Sequence, residues 1–374
     1  MAETTEKHIG SPAESKPAES STTRAFLGSM DAPSMPVGEV QDAPLEADEA
    51  EMGNDAPSID DRISSYTSSL TSSVIDYPME YGRRYHAFRS GSYVLTNDET
   101  ESDRLDMAHA LITRVIGNKL YLAPVETPKV HRILDIGTGT GIWAIEASDF
   151  FPNAEIIGND LSAIQPLWVP PIVKFEIDDV ESPWVGPKYD YIMCRYIAAS
   201  IGDWPSLVKT IYDNLNPGGW AEFQDMSVEY YSDDGSYKPE HFTYKWNQTF
   251  VQTLKAIGRD PAPGPQLEGW VRGHGGFNNV THQKFKVPIG PWAKKRHYKD
   301  IGLLNLAQVL EGLEGFSLKL FCGVLGKSDE EVQSLLAGVR NELKTNAFHA
   351  LFDIHVVFGQ KPFTNNETKR SHLV

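Results

Sequence analysis

The stretch Ile133-Leu-Asp-Ile-Gly-Thr-Gly-Thr-Gly-Ile142 decides the fold of this 374-residue chain. The residues that lead into it have the continuous apolar character of a buried strand, and the residues that follow it have the pattern of a helix. Gly137, Gly139 and Gly141 lie between the two, where glycine lets the backbone turn sharply and approach a ligand closely. A strand, a glycine loop and a helix in this order predict a cofactor site.

Two cofactor classes use such a loop, and the glycines alone do not decide between them. The dinucleotide fingerprint Gly-x-Gly-x-x-Gly fails when it is counted from Gly137, because Ile142 stands where the third glycine is needed. Counted from Gly139, the looser form Gly-x-Gly-x-x-Ala is met by Ala144. Both S-adenosylmethionine (SAM) and NAD therefore stay open on the glycines alone.

Acidic residues at the ends of three successive predicted strands favour SAM. Asp135 precedes the loop by two residues, and a carboxylate there would repel a pyrophosphate but suits the ammonium group of SAM. Asp160, at the end of the second strand, is placed to accept hydrogen bonds from both ribose hydroxyls. Asp178 or Asp179, after the third strand, can accept one from the adenine amino group. NAD would also use an acid on its ribose, so the three acids in register favour SAM.

Strands and helices alternate on both sides of the loop, which predicts a parallel sheet covered by helices on both faces. Strands are predicted at residues 130–135, 155–158, 173–177, 189–194, 220–223, 280–289 and 349–358. Helices are predicted at residues 103–116, 142–151, 207–215, 237–258, 267–277, 299–312 and 329–345. Asn97 or Asp98 is the predicted start signal of the first helix.

The composition divides the chain into segments. Residues 1–61 are rich in Ala, Pro, Ser and Glu, and the first 60 residues alone carry a charge of −10 of the total −17, which predicts a disordered acidic tail. Residues 62–128 predict an N-terminal helical and aromatic lid segment. Residues 129–362 predict the cofactor-binding domain, with a helical insertion at about 230–277, and residues 363–374 predict a flexible C-terminus.

The loop is accompanied by further motifs, namely Asp160-Leu-Ser162, Phe175-Glu-Ile-Asp-Asp179 and Asn216-Pro-Gly-Gly-Trp220. Together they resemble the LaeA-like family of fungal class I SAM-dependent methyltransferases. Segments outside this core, such as Glu80-Tyr-Gly-Arg-Arg-Tyr-His86 and Pro288-Ile-Gly-Pro-Trp292, are similar to that family as well. The resemblance runs from about residue 66 to residue 362.

The resemblance implies an α/β fold of the Rossmann-like methyltransferase type, with a seven-stranded, mostly parallel sheet, an N-terminal lid segment and a helical insertion after strand five. It implies that Asp135, Gly137 and Gly139 hold the methionine part of SAM, Asp160 the ribose, and Asp178 or Asp179 the adenine. The implied reaction is methyl transfer to an oxygen, nitrogen or carbon atom of a small molecule, in fungal secondary metabolism. Some members act instead in regulatory complexes, so a regulator with protein partners is the alternative.

One position departs from the family's pattern. Many members have Ile-His-x-Arg after the fourth strand, whereas this chain has Ile192-Met-Cys-Arg195, with Cys194 in place of the histidine. No general base is assigned at this position, nor to His274 or His297, and the catalytic residues stay unknown.

Candidate lid and substrate-pocket residues flank the expected SAM site. The segment Arg83-Arg84-Tyr85-His86 is expected to cover SAM, with an arginine or Tyr85 reaching its methionine carboxylate. Arg195 and Tyr196, at the end of the fourth strand, are near the expected position of the reactive methyl group and are assigned to the substrate pocket.

Charge and composition exclude several classes of function. With 34 basic against 51 acidic residues, the chain lacks the positive charge that nucleic acid requires. Its two cysteines form no CxxC or Cys/His cluster, so neither a metal nor a disulfide framework is expected. No stretch reaches the ~18 apolar residues of a membrane helix, and the first residues lack a secretory signal. We expect a cytoplasmic or nuclear protein that acts on a small molecule, with neither nucleic acid nor membrane as partner.

Overall fold

A seven-stranded sheet is the centre of the computed structural model, which describes residues 77–86 and 95–363. The expected acidic tail at 1–61, residues 62–76 and 87–94 of the expected lid segment, and all but the first residue of the expected flexible C-terminus at 363–374 lie outside this part of the chain. The strands are β1 (Met79–Glu80), β2 (Arg83–Arg84), β3 (Arg132–Ile136), β4 (Glu155–Asp160), β5 (Val173–Ile177), β6 (Tyr189–Arg195), β7 (Leu215–Met226), β8 (Asn278–Pro288) and β9 (Leu351–Gln360).

The order of strands in the sheet is β5-β4-β3-β6-β7-β9-β8. The first five are parallel, and β9 runs antiparallel to both of its neighbours, β7 and β8. Four of the five residues of β3 are buried, as expected for a strand covered on both faces. The α/β, Rossmann-like fold with a mostly parallel seven-stranded sheet is confirmed, and the carboxyl ends of β3, β4, β5 and β6 meet at one edge.

Seven helices surround this sheet within the described residues. They are α1 (Glu99–Val115), α2 (Ile142–Phe150), α3 (Trp204–Asn214), α4 (Phe242–Ala256), α5 (Leu267–Gly273), α6 (Arg296–Leu318) and α7 (Asp329–Lys344). Asp98 is the N-cap of α1, because its side chain accepts a hydrogen bond from the N–H of Glu101. None of these helices combines the length and the apolar character needed to cross a bilayer.

Two elements are longer than the sequence predicts. Helix α6 continues past Gly312 and Gly315, which are poor helix formers. A Cβ atom at Gly312 would lie 2.7 Å from Cδ of Arg104, and one at Gly315 would lie 2.9 Å from Oγ1 of Thr96. The two glycines therefore allow the N-terminal part of the chain to approach α6 closely. Strand β7 begins at Leu215 instead of Trp220, so the segment predicted as a turn enters the strand.

Helix α1 is fixed to α6 by a buried polar network. The guanidinium group of Arg104 donates hydrogen bonds to both carboxylate oxygens of Glu101, at 2.8 and 2.6 Å, and to Oε1 of Gln308, at 3.0 Å. Because both charges are paired and hydrogen-bonded, they can lie in the interior. This contact fixes the position of α1 over the edge of the sheet.

The helices between β7 and β9 form one packed group. Glu342 of α7 accepts hydrogen bonds from the N–H groups of Phe242 and Thr243, each at 2.8 Å, and so caps the N-terminus of α4. Trp246 of α4 donates to Oγ of Ser317 in α6 at 2.7 Å. The helical insertion after the fifth strand of the sheet is therefore joined to the helices that precede β9.

The short hairpin β1–β2 is held at both ends. The hydroxyl of Tyr77 accepts a hydrogen bond from the N–H of Ala163, in the loop after β4, at 2.8 Å. Arg83 donates two hydrogen bonds to Asp98, at 2.6 and 2.8 Å, and Nζ of Lys319 lies 4.3 Å from the ring centroid of Tyr85. The hairpin thus connects the loop after β4 with the C-terminal end of α6.

Candidate active site

The glycine loop connects β3 to α2 in a conformation that requires glycine. Gly137, Gly139 and Gly141 have φ angles of 63°, 58° and 81°, in the left-handed region. A Cβ atom at Gly141 would lie 2.3 Å from the ring of Phe175, and one at Gly137 would lie 2.6 Å from Ile197. A Cβ atom at Gly139 would be in ordinary contact, 3.4 Å from Leu105. The loop is therefore shaped at its two ends by packing, with Gly139 facing α1.

The acids that end β3 and β4 lie on either side of this loop. Asp135 is buried and accepts a hydrogen bond from the hydroxyl of Thr138 at 2.6 Å. Asp160 accepts two backbone hydrogen bonds, from Gly139 to Oδ2 at 2.9 Å and from Ser162 to Oδ1 at 3.0 Å. Each carboxylate oxygen of Asp160 has a further lone pair that can accept a ligand hydroxyl.

Burial raises the pKa of both acids. The pKa of Asp135 is raised to about 6 by burial, against the opposing effects of the Thr138 hydrogen bond and the charge of Arg195. The pKa of Asp160 is raised by burial as well, although the N–H donors of Gly139 and Ser162 stabilise its charged form. A ligand that brings positive charge to Asp135 would therefore be favoured, because it would offset the cost of desolvation.

Asp178 and Asp179 stand after β5 at the same edge of the sheet, but their side chains form a turn. Oδ1 of Asp178 accepts a hydrogen bond from the N–H of Asp179 at 2.8 Å, and Oδ1 of Asp179 accepts one from the N–H of Glu181 at 2.9 Å. The backbone N–H of Asp178 donates to the carbonyl oxygen of Asp160 at 3.1 Å. Neither acid lines the cavity described next, and their adenine contact stays a prediction.

A cavity of about 50 Å³ lies between the glycine loop and α1. Its walls come from Asp135, the loop residues 137–140, Arg195 and Tyr196, and its roof comes from Leu105, Ala108, His109 and Ile112 of α1. Pockets for ligands of drug size typically have volumes of ~300–1,000 Å³, so this cavity has room for only one end of a ligand as large as SAM. Oγ1 of Thr140 donates a hydrogen bond to Asp106 of α1 at 2.6 Å, and this bond joins the glycine loop to α1.

His109 lines the cavity and contacts two charged side chains, and it was not among the residues predicted from the sequence. Its Nδ1 lies 2.8 Å from Nη2 of Arg195, and its Nε2 lies 3.0 Å from Oε2 of Glu146 in α2. Burial and the charge of Arg195 lower the pKa of His109, although Glu146 opposes them. The histidine is therefore neutral in this arrangement. Nothing local marks it, because its partners are 37 and 86 residues away in sequence.

Tyr196 lines the cavity in a strained conformation. Its φ angle is 60°, which is uncommon for a residue with a large side chain. Its N–H donates to the carbonyl oxygen of Gln224 at 2.9 Å, and the next N–H, of Ile197, donates to Oδ2 of Asp225 at 2.9 Å. Burial raises the pKa of Asp225 to about 7. The end of β7 thus holds the loop that presents Tyr196 to the cavity.

The lid segment lies near this site, but the structure corrects the expected role of three of its side chains. Tyr85 is fully buried against Lys319 and does not line the cavity. Arg83 is paired with Asp98, and Arg84 donates to Glu99 at 3.0 Å and to the carbonyl oxygen of Asn97 at 2.7 Å. Tyr85 and both guanidinium groups therefore dock the segment and do not reach toward a methionine carboxylate.

The other sequence candidates lie away from the cavity. Cys194 is buried in the sheet, and burial raises the pKa of its thiol well above the ordinary value, so it is inert as a nucleophile. His274 packs on the ring of Tyr212, with centroids 4.4 Å apart, and His297 lies in the first turn of α6. No general base is assigned.

Comparison with known proteins identifies the chain's relatives. A family model described as a methyltransferase domain matches residues 107–285. The chain is 46% identical over 315 residues to a protein of Aspergillus terreus named methyltransferase pytC, covering 84% of this chain and 96% of that one. It is 35% identical to the secondary metabolism regulator laeA of Monascus pilosus, covering 81% and 84% of the two chains. The chain belongs to the LaeA-like family of methyltransferases. This membership confirms the expected enzyme class and, with it, SAM as the cofactor of this LaeA-like methyltransferase.

Proposed function

We propose that this LaeA-like methyltransferase transfers the methyl group of SAM to an oxygen, nitrogen or carbon atom of a small molecule of fungal secondary metabolism. The observation that carries the proposal is the glycine loop held between two acids, with Asp135 facing the cavity and Asp160 bonded to Gly139 at 2.9 Å. The similarity to methyltransferase pytC of Aspergillus terreus, at 46% identity, supports it.

The residues of the site fit SAM better than NAD. Asp135 is a buried carboxylate beside the loop, where a pyrophosphate would meet charge repulsion and an ammonium group would meet attraction. Asp160 has lone pairs left for the two ribose hydroxyls. Gly139 has no side chain, which leaves space for a ligand between the loop and Leu105. Asp178 or Asp179 contacts the adenine amino group in this proposal.

SAM supplies an electrophilic methyl group on a sulfonium, and the protein's own residues position it and exclude water. Asp135 orients the methionine end through its ammonium group, and Asp160 fixes the ribose. Leu105 and Ile112 of α1 close the site with apolar side chains, so the acceptor meets the methyl group in a dry space. Tyr196 lines the same cavity and belongs to the substrate pocket in this proposal.

Calorimetric titration with SAM, S-adenosylhomocysteine and NAD tests the proposal. We expect both adenosyl ligands to bind and NAD not to bind. Incubation with methyl-deuterated SAM and a fungal metabolite extract, followed by mass spectrometry, should then show a small molecule that carries the labelled methyl group. Binding of NAD without binding of SAM would contradict the proposal.

A regulatory role is the second candidate, and the names of two relatives favour it. One is the secondary metabolism regulator laeA of Monascus pilosus, and the other is the protein-methionine methyltransferase laeA of Emericella nidulans, 34% identical and covering 76% of each chain. In this case the methyl acceptor or the partner is a protein, met in the cytoplasm or the nucleus. Affinity purification of the tagged full chain from a fungal host, with a search for labelled methyl groups on the captured proteins, distinguishes the two candidates.

A further inference from the structure

Opposite charges face each other across the cavity from neighbouring strands. Strands β3 and β6 pair in parallel, with Asp135 opposite Met193 and Ile136 opposite Cys194. Arg195 follows directly, so its side chain and that of Asp135 both line the cavity. A carboxylate and a guanidinium group on adjacent strands are complementary to a zwitterion, whose ammonium and carboxylate groups are bonded to one carbon atom.

The guanidinium group of Arg195 has an unused donor. Its Nη2 donates to His109, whereas its Nη1 is shielded from solvent and has no hydrogen-bond partner in the part of the chain that the structure describes. A buried donor without a partner is costly, and more so when it is charged. Since Arg195 lines the cavity, an anionic group of a ligand can supply that partner.

We propose that Arg195 binds the α-carboxylate of SAM through Nη1 while Asp135 binds the α-ammonium group, and that His109 is the positioning residue for Arg195. The inference rests on the proposed function, because it assigns one end of the same cofactor. It replaces the expected role of Arg83 and Arg84, which are engaged with Asp98 and Glu99, and it assigns Arg195 to the cofactor instead of the substrate pocket. The site thereby recognises the amino-acid end of the cofactor by both of its charges.

The hydrogen-bond chemistry of His109 explains how it positions Arg195. A guanidinium N–H can only donate, so Nδ1 of His109 must accept and the ring proton must be on Nε2. Nε2 then donates to Oε2 of Glu146 at 3.0 Å, which holds the ring from the opposite side. With both nitrogen atoms engaged, the imidazole holds the guanidinium group with Nη1 free for the ligand.

Decarboxylated SAM tests the proposal, because it keeps the sulfonium, the ribose, the adenine and the amine but lacks the carboxylate. We expect the wild type to bind SAM about 10- to 100-fold more tightly than decarboxylated SAM, as measured by calorimetry. Arg195→Met should lose that preference by weakening SAM binding, with the affinity for decarboxylated SAM unchanged. Arg132→Met is the matched control and should keep the preference, because it removes an arginine of β3 that pairs with Glu155 of β4 and does not line the cavity.

Some outcomes would overturn the assignment. Wild-type protein that binds both ligands equally, or Arg195→Met protein that still prefers SAM, would show that Arg195 does not contact the carboxylate. Arg195→Lys is the second variant, in case the methionine variant fails to fold; it should reduce the preference, and full retention counts against the planar guanidinium contact. Wild-type protein that binds neither ligand would refute the proposed function itself. This outcome differs from a failure of the Arg195 assignment, in which SAM still binds.

The role of His109 needs its own pair of variants. In His109→Asn, the amide oxygen can take the place of Nδ1 as the acceptor for Arg195, so most of the preference for SAM should return. In His109→Leu, no acceptor is left, and SAM affinity should fall severalfold with the affinity for decarboxylated SAM unchanged. If the leucine variant weakened both ligands alike, or neither, His109 would not be a positioning residue for the carboxylate contact.

Discussion

Oδ2 of Asp160 accepts a hydrogen bond from the backbone N–H of Gly139 at 2.9 Å, so the acid that ends β4 also fixes the loop that follows β3. Its other oxygen atom accepts from the N–H of Ser162 at 3.0 Å. One side chain therefore sets the distance between the two segments that the proposed function assigns to the methionine and ribose parts of SAM.

Replacement of Asp160 should affect both the cofactor and the loop. We expect Asp160→Ala to weaken SAM binding by about ten- to several-hundredfold, since hydrogen bonds to a charged group contribute ~1.5–3 kcal/mol each. The melting temperature of the free protein should also fall, because Gly139 and Ser162 lose their acceptor. Asp149→Ala, which removes an exposed acid from α2, is the control. Unchanged SAM affinity in folded Asp160→Ala protein would refute the ribose assignment.

Substitutions at two glycines of the loop should have different effects, one mainly on stability and the other mainly on SAM binding. Gly141→Ala places a Cβ atom 2.3 Å from Phe175 at a φ angle of 81°, so we expect it to destabilise the fold by about 2–4 kcal/mol. Gly139→Ala meets Leu105 at 3.4 Å, so only the strain at a φ angle of 58°, of order 1 kcal/mol, lowers its stability.

Thermal melts with and without SAM compare the two variants. The Cβ atom of Gly139→Ala projects toward the cavity, so this variant should show no rise of the melting temperature with SAM. A full rise would contradict the assignment of the loop to the methionine part.

SAM binding should weaken at acid pH through Asp135. Its pKa is raised to about 6, chiefly by burial, and the ammonium group of SAM binds the charged carboxylate. Below about pH 6 binding must therefore expel a proton, and the apparent Kd should rise roughly tenfold per pH unit. Calorimetry in buffers of different ionisation enthalpy should detect that released proton.

The variant Asp135→Asn tests whether Asp135 causes the pH dependence of SAM binding. It should bind SAM weakly and lose most of the pH dependence; the remainder comes from Asp160, whose pKa is raised as well. A Kd of the wild type that does not change between pH 7 and about pH 5 would contradict the ammonium contact.

The stability of helix α1, which covers the cavity, should depend on Asp98. This residue caps the helix and accepts two hydrogen bonds from Arg83, so Asp98→Ala should reduce the free energy of unfolding by about 1–3 kcal/mol. Burial would raise the pKa of Asp98, but the hydrogen bond and charge of Arg83 prevail and lower it. The contribution is therefore present at neutral pH and is lost as the pH falls below the ordinary range of an aspartate.

Chemical denaturation of Asp98→Ala at pH 7 and pH 3 measures this effect. Glu99→Ala is the matched control, because its ion pair with Arg84 is partly exposed and contributes little. Equal stability of the Asp98 variant and the wild type at pH 7 would show that neither the cap nor the ion pair supports α1.

The sequence predicts those features that depend on neighbouring residues. The loop between β3 and α2, the acids at three strand ends and the cap at Asp98 each follow from local backbone and hydrogen-bond chemistry. The contact between Arg195 and His109 does not, because the two residues are 86 positions apart and meet only when α1 lies over the loop. Tyr85 carries no local sign that Lys319 will cover its ring.

Strand β9 is the last described strand in chain order, yet it lies between β7 and β8 inside the sheet. During synthesis, β7 therefore keeps an open edge until Leu351–Gln360 leaves the ribosome, and β8 has no neighbour to join. Open sheet edges favour association with other chains. We therefore expect a chain that is truncated before Leu351 to expose the edge of β7 and to aggregate.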